Sequence, residues 1–154
     1  GEVGTMFKRI LLAYDGSPEY RSGLRQGADL AQFVGAEVHL LAIITPSTSL
    51  PIAGGVNPSD LVDEEQKEIQ AILEEGVERL RKRGIKAEGR VGFRDPVDEI
   101  AATARDIKAD LIVVGHRRRG PLQSWWRKSM SKSLLSVAPC SVLVSYLPGV
   151  ADDD

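Results

Sequence analysis

Five short apolar runs punctuate this chain, and a stretch of helical periodicity separates each run from the next. The runs are Phe7 to Tyr14, Glu37 to Ile44, Ile85 to Gly92, Asp110 to Gly115 and Ser141 to Tyr146. Each has strand length and is bounded by turn or capping residues, so the order reads β-α-β-α-β-α-β-α-β. Strict alternation leaves few topologies open. Strands joined by helical crossovers lie parallel, and the crossovers place helices on both faces of the sheet. The second run is rich in leucine and isoleucine, which predicts cover on both faces. The third carries Lys86, Glu88, Gly89 and Arg90, a polarity that suits an edge.

The helices have their own signals. Ser17 can cap the first and Pro18 suits its first position, with Leu24, Ala28, Ala31 and Val34 forming the buried stripe up to Gly35. Thr45 to Ser59 is rich in Pro, Gly and Ser and reads as a mobile loop. A long helix follows from about Asp60 to Arg83, with Leu61, Val62, Ile69, Ile72, Leu73, Val77 and Leu80 inward and Gly84 as its stop. Asp95-Pro-Val-Asp98 is a helix start, with Asp95 as cap and acid near the positive dipole end. Val97, Ile100, Ala101, Ala104 and Ile107 follow at helical spacing. A short helix from Ser129 to Val137 closes at Ala138-Pro139.

At 154 residues the chain is long enough to bury one core, and neither an internal repeat nor a second domain is visible. Gly1 to Thr5 read as an expression scar, 6–147 as the domain and 148–154 as an acidic, frayed tail. One cysteine, Cys140, excludes an internal disulfide framework and a cysteine-cluster metal site, and a reducing cytoplasm is the expected home. No apolar run reaches membrane-spanning length and no signal-peptide pattern is present. The two histidines, His39 and His116, are too few for a zinc site without heavy use of carboxylates.

In such a sheet, ligands bind beyond the carboxyl ends of the strands, where the strand order reverses. Four loops lie there: Asp15 to Pro18, Thr45 to Ser59, Gly92 to Asp95 and Gly115 to Lys128. The last is strongly basic. No Asp or Glu occurs from Leu111 to Gly149, while Arg117, Arg118, Arg119, Arg127, Lys128 and Lys132 do. An anionic ligand or partner is one reading of that charge, and a solvated basic loop is the plainer one.

Three stretches carry a resemblance. The opening strand with its acidic end, "ILLAYDGSPE", the run "DPVDEIAATARDIKADLIVVG", and "SMSKSLLSVAPCSVLV" with its Ala138-Pro139-Cys140 step together resemble the universal stress protein family. The likeness spans Phe7 to Tyr146. It implies a five-stranded parallel sheet of order 3-2-1-4-5 in a single-domain, three-layer α/β/α fold. It further implies a regulatory role in stress response and a homodimer formed through the last strand, Ser141 to Tyr146. Many members of that family bind ATP and others do not. In the ATP-binding members the fourth strand runs into Gly-x-x-Gly, nine residues, then Gly-Ser or Gly-Thr, so that backbone N–H groups approach the phosphates.

Laid on this chain, the first glycine is Gly115, the second position is Arg118, the third is Lys128 and the hydroxyl is Ser129. Two glycines are thus replaced by basic residues. A Cβ at either place disfavours a left-handed backbone by ~1–2 kcal/mol. Against that, Arg118 and Lys128 can hold phosphate by charge-assisted hydrogen bonds. The resemblance implies a nucleotide site built from Ala13, Tyr14, Asp15, Ile43, Ile44, Gly115, His116, Arg118, Lys128, Ser129, Met130 and Ser131. Its ligand is ATP or another adenine nucleotide, with or without magnesium. Asp15 would meet ribose or adenine, Ile43 and Ile44 would wall the adenine, and Ser129 and Ser131 would meet phosphate.

Each residue also has a plainer role: Asp15, Ser129 and Ser131 as helix caps, Ile43 and Ile44 as core, His116 as a solvated side chain, His39 as a satisfied core or interface residue, Cys140 as an inert buried thiol. Trp125 and Trp126 beside Arg127 and Lys128 read first as a clasp for the loop, and otherwise as a surface for a protein partner. One such patch is weak support for single-stranded nucleic acid, and none is expected as partner. Two readings remain open at the level of sequence: a nucleotide-responsive regulatory domain, and an interaction module of the same fold acting through its basic Trp-containing loop. An enzyme, such as a slow ATPase, is the weakest, because no acid–base pair or metal constellation is visible.

Overall fold

In the computed structural model the alternation becomes five strands and four helices, and the residues described are 7–14, 21–43, 58–93, 95–116 and 130–146. The strands are β1 (Arg9–Tyr14), β2 (Glu37–Ile43), β3 (Ala87–Gly92), β4 (Leu111–His116) and β5 (Ser141–Tyr146). The helices are α1 (Arg21–Val34), α2 (Pro58–Lys82), α3 (Pro96–Ile107) and α4 (Met130–Val137). All pairings are parallel and the sheet order is β3-β2-β1-β4-β5, so the polar third strand is an edge as its composition predicts.

Register assigns each side chain to a layer. Ile10 pairs with Val38 and Leu111, and Leu12 with Leu40 and Val113. These residues pack with Ala28 and Ala31 of α1 and Leu73, Val77 and Leu80 of α2. The alternate residues, Leu11, Ala13, Leu41, Ile43, Ile112 and Val114, face the other way onto Ile100 and Ala104 of α3 and Leu134 of α4. A period of two thus feeds two cores, which is why β1 and β4 read as continuous apolar runs. No helix among the described residues is long and apolar enough to cross a membrane.

Several boundaries differ from the sequence expectation. Gly35 and Gly84 stop α1 and α2 with φ of +75° and +82°, a left-handed backbone open to glycine. After α2 the Gly84 N–H bonds Arg81 O at 2.9 Å and the Ile85 N–H bonds Leu80 O at 3.1 Å. Ile85 therefore closes a helix in a Schellman-type turn, and β3 begins at Ala87 rather than Ile85. At its other end α2 begins at Pro58 rather than Asp60, so Pro58 and Ser59 belong to the helix and not to the preceding loop.

Asp95 is a correction of another kind. It occupies the N-cap position of α3, but its side chain makes no capping hydrogen bond; its carbonyl accepts the Glu99 N–H at 2.9 Å. Pro96 at the first helical position removes one of the unpartnered N–H groups of the helix start, and the Asp95 side chain is exposed to water, which serves as its partner instead of the helix. Acid in the first turn holds as expected, from Asp98 and Glu99. Residue 110 is not the first of β4. Its N–H bonds Arg9 O at 3.0 Å and its carboxylate reaches back to β1, so the strand begins at Leu111. β1 likewise begins at Arg9, two residues later than the apolar run. The proposed cap Ser17, Pro18, and 45–57 of the Pro/Gly/Ser-rich loop lie outside the described residues.

Candidate functional site

The carboxyl ends of the strands form the crevice. β1 ends in Ala13 and Tyr14, flanked by β2 on one side and β4 on the other. The chain leaves β1 toward the face of α1, and α4, which follows β4, lies on the opposite face. That divergence makes the carboxyl ends of β1 and β4 the switch point of an open α/β sheet, the place where such sheets bind ligands. Because β5 pairs in parallel with β4, α4 must run from the carboxyl edge back to the amino edge. Its first amides, from Met130 and Ser131, therefore lie at the crevice with the positive end of the helix dipole.

Five of the expected site residues stand on adjacent strand ends. Ala13 pairs with Leu41 and Val114, Tyr14 with Ala42, Ile43 with Gly92, Gly115 with Ser145 and His116 with Tyr146. Ile43 is fully buried under α3, and Ala13 is buried on the same face. Tyr14 differs: its side chain belongs to the core beneath α1 and α2, so what it offers at the strand end is main chain. Asp15, Ile44, Arg118, Lys128 and Ser129 lie outside the described residues, as do Trp125 and Trp126.

One contact at this rim had no counterpart in the sequence reading. Gly92 ends β3 beside Ile43, and the Glu99 side chain from the first turn of α3 lies over it. A Cβ on Gly92 would overlap Glu99 Cγ and come within 2.7 Å of Cδ and 3.1 Å of Oε1. Only a glycine lets that side chain rest there. Phe93, the next residue, is half exposed. The available signal was a glycine ending an apolar run, seven positions before an acid in a helix's first turn.

The opposite edge holds different chemistry. Arg9 Nε donates to Glu37 Oε1 at 2.9 Å, His39 Nε2 lies 3.2 Å from the same oxygen, and His39 Nδ1 lies 3.6 Å from Glu88 Oε2. The hydrogen bond from His39, followed by that from Arg9, holds the Glu37 carboxyl below the usual carboxylate range. His39 is therefore a satisfied, half-buried strand residue, as expected. Cys140 is half-buried before β5; burial first, and the Asp110 charge second, push its thiol up, which suits an unreactive role.

The model of the universal stress protein family matches residues 6–145. Universal stress protein YxiE of Bacillus subtilis (strain 168) is 30% identical over 148 residues, covering 90% of this chain and 99% of its own. A solved member of the family from Burkholderia pseudomallei has a TM-score of 0.68 at 27% identity, over 91% of this chain and 96% of its own. A universal stress protein solved in complex with cAMP also has a TM-score of 0.68, at 22% identity, over 94% and 100%. At that identity the likeness speaks for the fold.

Proposed function

The chain belongs to the universal stress protein family, and on that premise we propose that it is a regulatory domain binding an adenine nucleotide at the crevice above β1 and β4. The observation that carries this reading is the meeting of Ala13, Ile43 and Gly115 on neighbouring strand ends beside the first turn of α4. The apolar end of β2 suits a base, and the helix amides suit phosphate. The cAMP held by the related structure has both parts. Asp15 would meet the nucleoside, and Ser129 with the amides of Met130 and Ser131 would meet phosphate. Arg118 and Lys128 would replace backbone contacts of the absent glycines by charge-assisted hydrogen bonds, with magnesium as an optional counterion. The role is binding and signalling rather than catalysis.

The test is to denature freshly purified protein and analyse the supernatant for nucleotide by absorbance and mass. Stoichiometric ATP or AMP supports the reading. An empty supernatant, followed by no thermal shift with millimolar ATP and magnesium, overturns it.

A second reading draws on the replacement of two motif glycines by Arg118 and Lys128. Side chains at those places would fill the cradle, and the domain would then act on a protein partner through the loop of Trp125 and Trp126. Under this reading Trp125→Ala or Trp126→Ala abolishes partner capture and leaves nucleotide affinity alone. Either form would be a homodimer through β5. That strand is an edge with Leu143 and Val144 exposed on opposite faces.

A further inference from the structure

We propose that the amino pole of the sheet, opposite the crevice, carries a second site, for a small molecule with two separated anionic groups on a hydroxyl-bearing body, the class of the sugar bisphosphates. The ends of α1 and α2 and the starts of the first three strands border a cavity of about 500 Å³, whose lining includes Lys8, Gln32, Gly35, Glu37, Gly84 and Lys86. That is the size of a small-ligand pocket, and it shares no residue with the crevice. Its walls are braced. Arg83 Nη2 donates to Asp29 Oδ1 and to Gln32 Oε1, each at 2.6 Å, and Gln32 Nε2 donates back to Arg83 O at 3.2 Å. These bonds tie the end of α2 to the last turns of α1, so the cavity exists before any ligand arrives. The space beside both helix stops is open, since a Cβ on Gly35 or Gly84 would meet nothing within 4 Å.

Charge selects the ligand. Glu37 is the acid of the lining, and Arg9 and His39 already hold its carboxylate. Asp29, near the rim, is taken by Arg83. Lys8 and Lys86 are exposed and have no ion pair among the described residues. Two unneutralised ammonium groups thus belong to one cavity, and they attract anions. Lys8 O accepts the Glu37 N–H and Lys86 O accepts the Val38 N–H, so the two lysines flank β2. Their backbones stand two strand spacings apart, about 10 Å, which suits two anionic groups better than one. Between them lie the carboxyl ends of α1 and α2. Last-turn carbonyls and the negative dipole end disfavour a bare anion there and accept hydrogen bonds from donors. The middle of the ligand must therefore supply hydroxyl or similar donors. Inorganic phosphate lacks that body, and a sugar with a phosphate at each end has both parts.

The test follows backbone amides of the full-length protein by NMR while fructose 1,6-bisphosphate, fructose 6-phosphate or inorganic phosphate is added at constant ionic strength. The bisphosphate should shift the amides of Gly35, Gly84 and Lys86 saturably at millimolar concentration, with the other two several-fold weaker. In the double variant Lys8→Gln, Lys86→Gln its affinity should fall by on the order of tenfold, since each exposed charge contact contributes up to a few-fold. Both lysines are exposed, so the variant should keep its fold, and an unchanged spectrum away from the pole checks this. The Gly115 amide reports separately on the crevice. Pole amides that stay still while bisphosphate is added, or a response confined to Gly115, overturn the site. A bisphosphate no tighter than inorganic phosphate, or a double variant as tight as the parent, overturns the ligand class and the role of the lysines.

Discussion

Asp110 Oδ2 accepts the Lys8 amide hydrogen at 2.7 Å, a bond between residues 102 positions apart. Oδ1 accepts the Arg9 amide at 3.1 Å, and the Asp110 N–H donates to Arg9 O at 3.0 Å. One side chain thus fastens the start of β1 to the start of β4, the two strands whose far ends open the crevice. Hydrogen bonds to a charged acceptor contribute about 1.5–3 kcal/mol each when shielded, and less in contact with water. Asp110→Ala should therefore lower the stability by about 2 kcal/mol in urea unfolding, with the slope of the transition unchanged. A variant as stable as the parent would mean that water replaces both bonds at no cost.

Glu37 gives a pH dependence with a definite sign. Its carboxyl is held low by the His39 hydrogen bond, then by Arg9. A carboxyl whose folded value lies below its unfolded one contributes stability above the unfolded value, about 4.3. That contribution is lost as pH falls through the folded value. The parent should exceed Glu37→Gln in stability at pH 7 by up to about 1 kcal/mol, since the cluster is partly open to water. The difference should shrink as pH falls below the unfolded value of about 4.3 and vanish only once pH is below the lowered folded value. Thermal melts across that range check it, and a gap that grows on acidification would reverse the assignment.

The strands and their layers were legible because each carries its own period. The expected stripes are the residues that pack: Ala28 and Ala31 in α1, Leu73, Val77 and Leu80 in α2, Ile100 and Ala104 in α3. The polarity of β3 announced its place at the edge. What the sequence concealed were contacts between residues far apart in the chain. Asp110 reads as the polar start of a strand, and only the pairing of β1 with β4 makes it a strut. Glu99 reads as one more acid at a helix start until α3 packs over Gly92. Asp95 failed in the other direction, since a local capping signal was present and the side chain stays in water. The resemblance places Tyr14 with Ala13 in one nucleotide site, yet a period of two sends their side chains to opposite layers.

Thr103 leads to a stabilising substitution. It is 2% exposed within α3, and its hydroxyl has no hydrogen-bond partner among the described residues. A buried polar group without a partner costs about 1–3 kcal/mol, and a methyl of the same shape does not. Thr103→Val should therefore be neutral or more stable by up to about 1–2 kcal/mol. Thr103→Ala should be less stable than the valine variant, because it leaves a void where the branch was. Thermal midpoints of the three proteins decide it; a valine variant clearly below the parent would show that the hydroxyl is satisfied in solution.

The β5 edge makes the last prediction. Leu143 and Val144 are 41% and 42% exposed, and they point to opposite faces because they are consecutive in a strand. Exposed apolar side chains on both faces of an edge strand invite a second strand. A second copy of β5 would satisfy the edge and cover both residues in one isologous contact. The parent should elute as a dimer in size-exclusion chromatography with light scattering. Val144→Glu should elute as a monomer, because pairing would carry its charge into an apolar seam at each of two symmetric positions. Neither residue is buried within one chain, so the thermal midpoint of the variant should fall only by the part that dimerisation contributes, and that part should depend on protein concentration in the parent alone. A monomeric parent at tens of micromolar would remove the dimer from the account and leave the edge for a different protein.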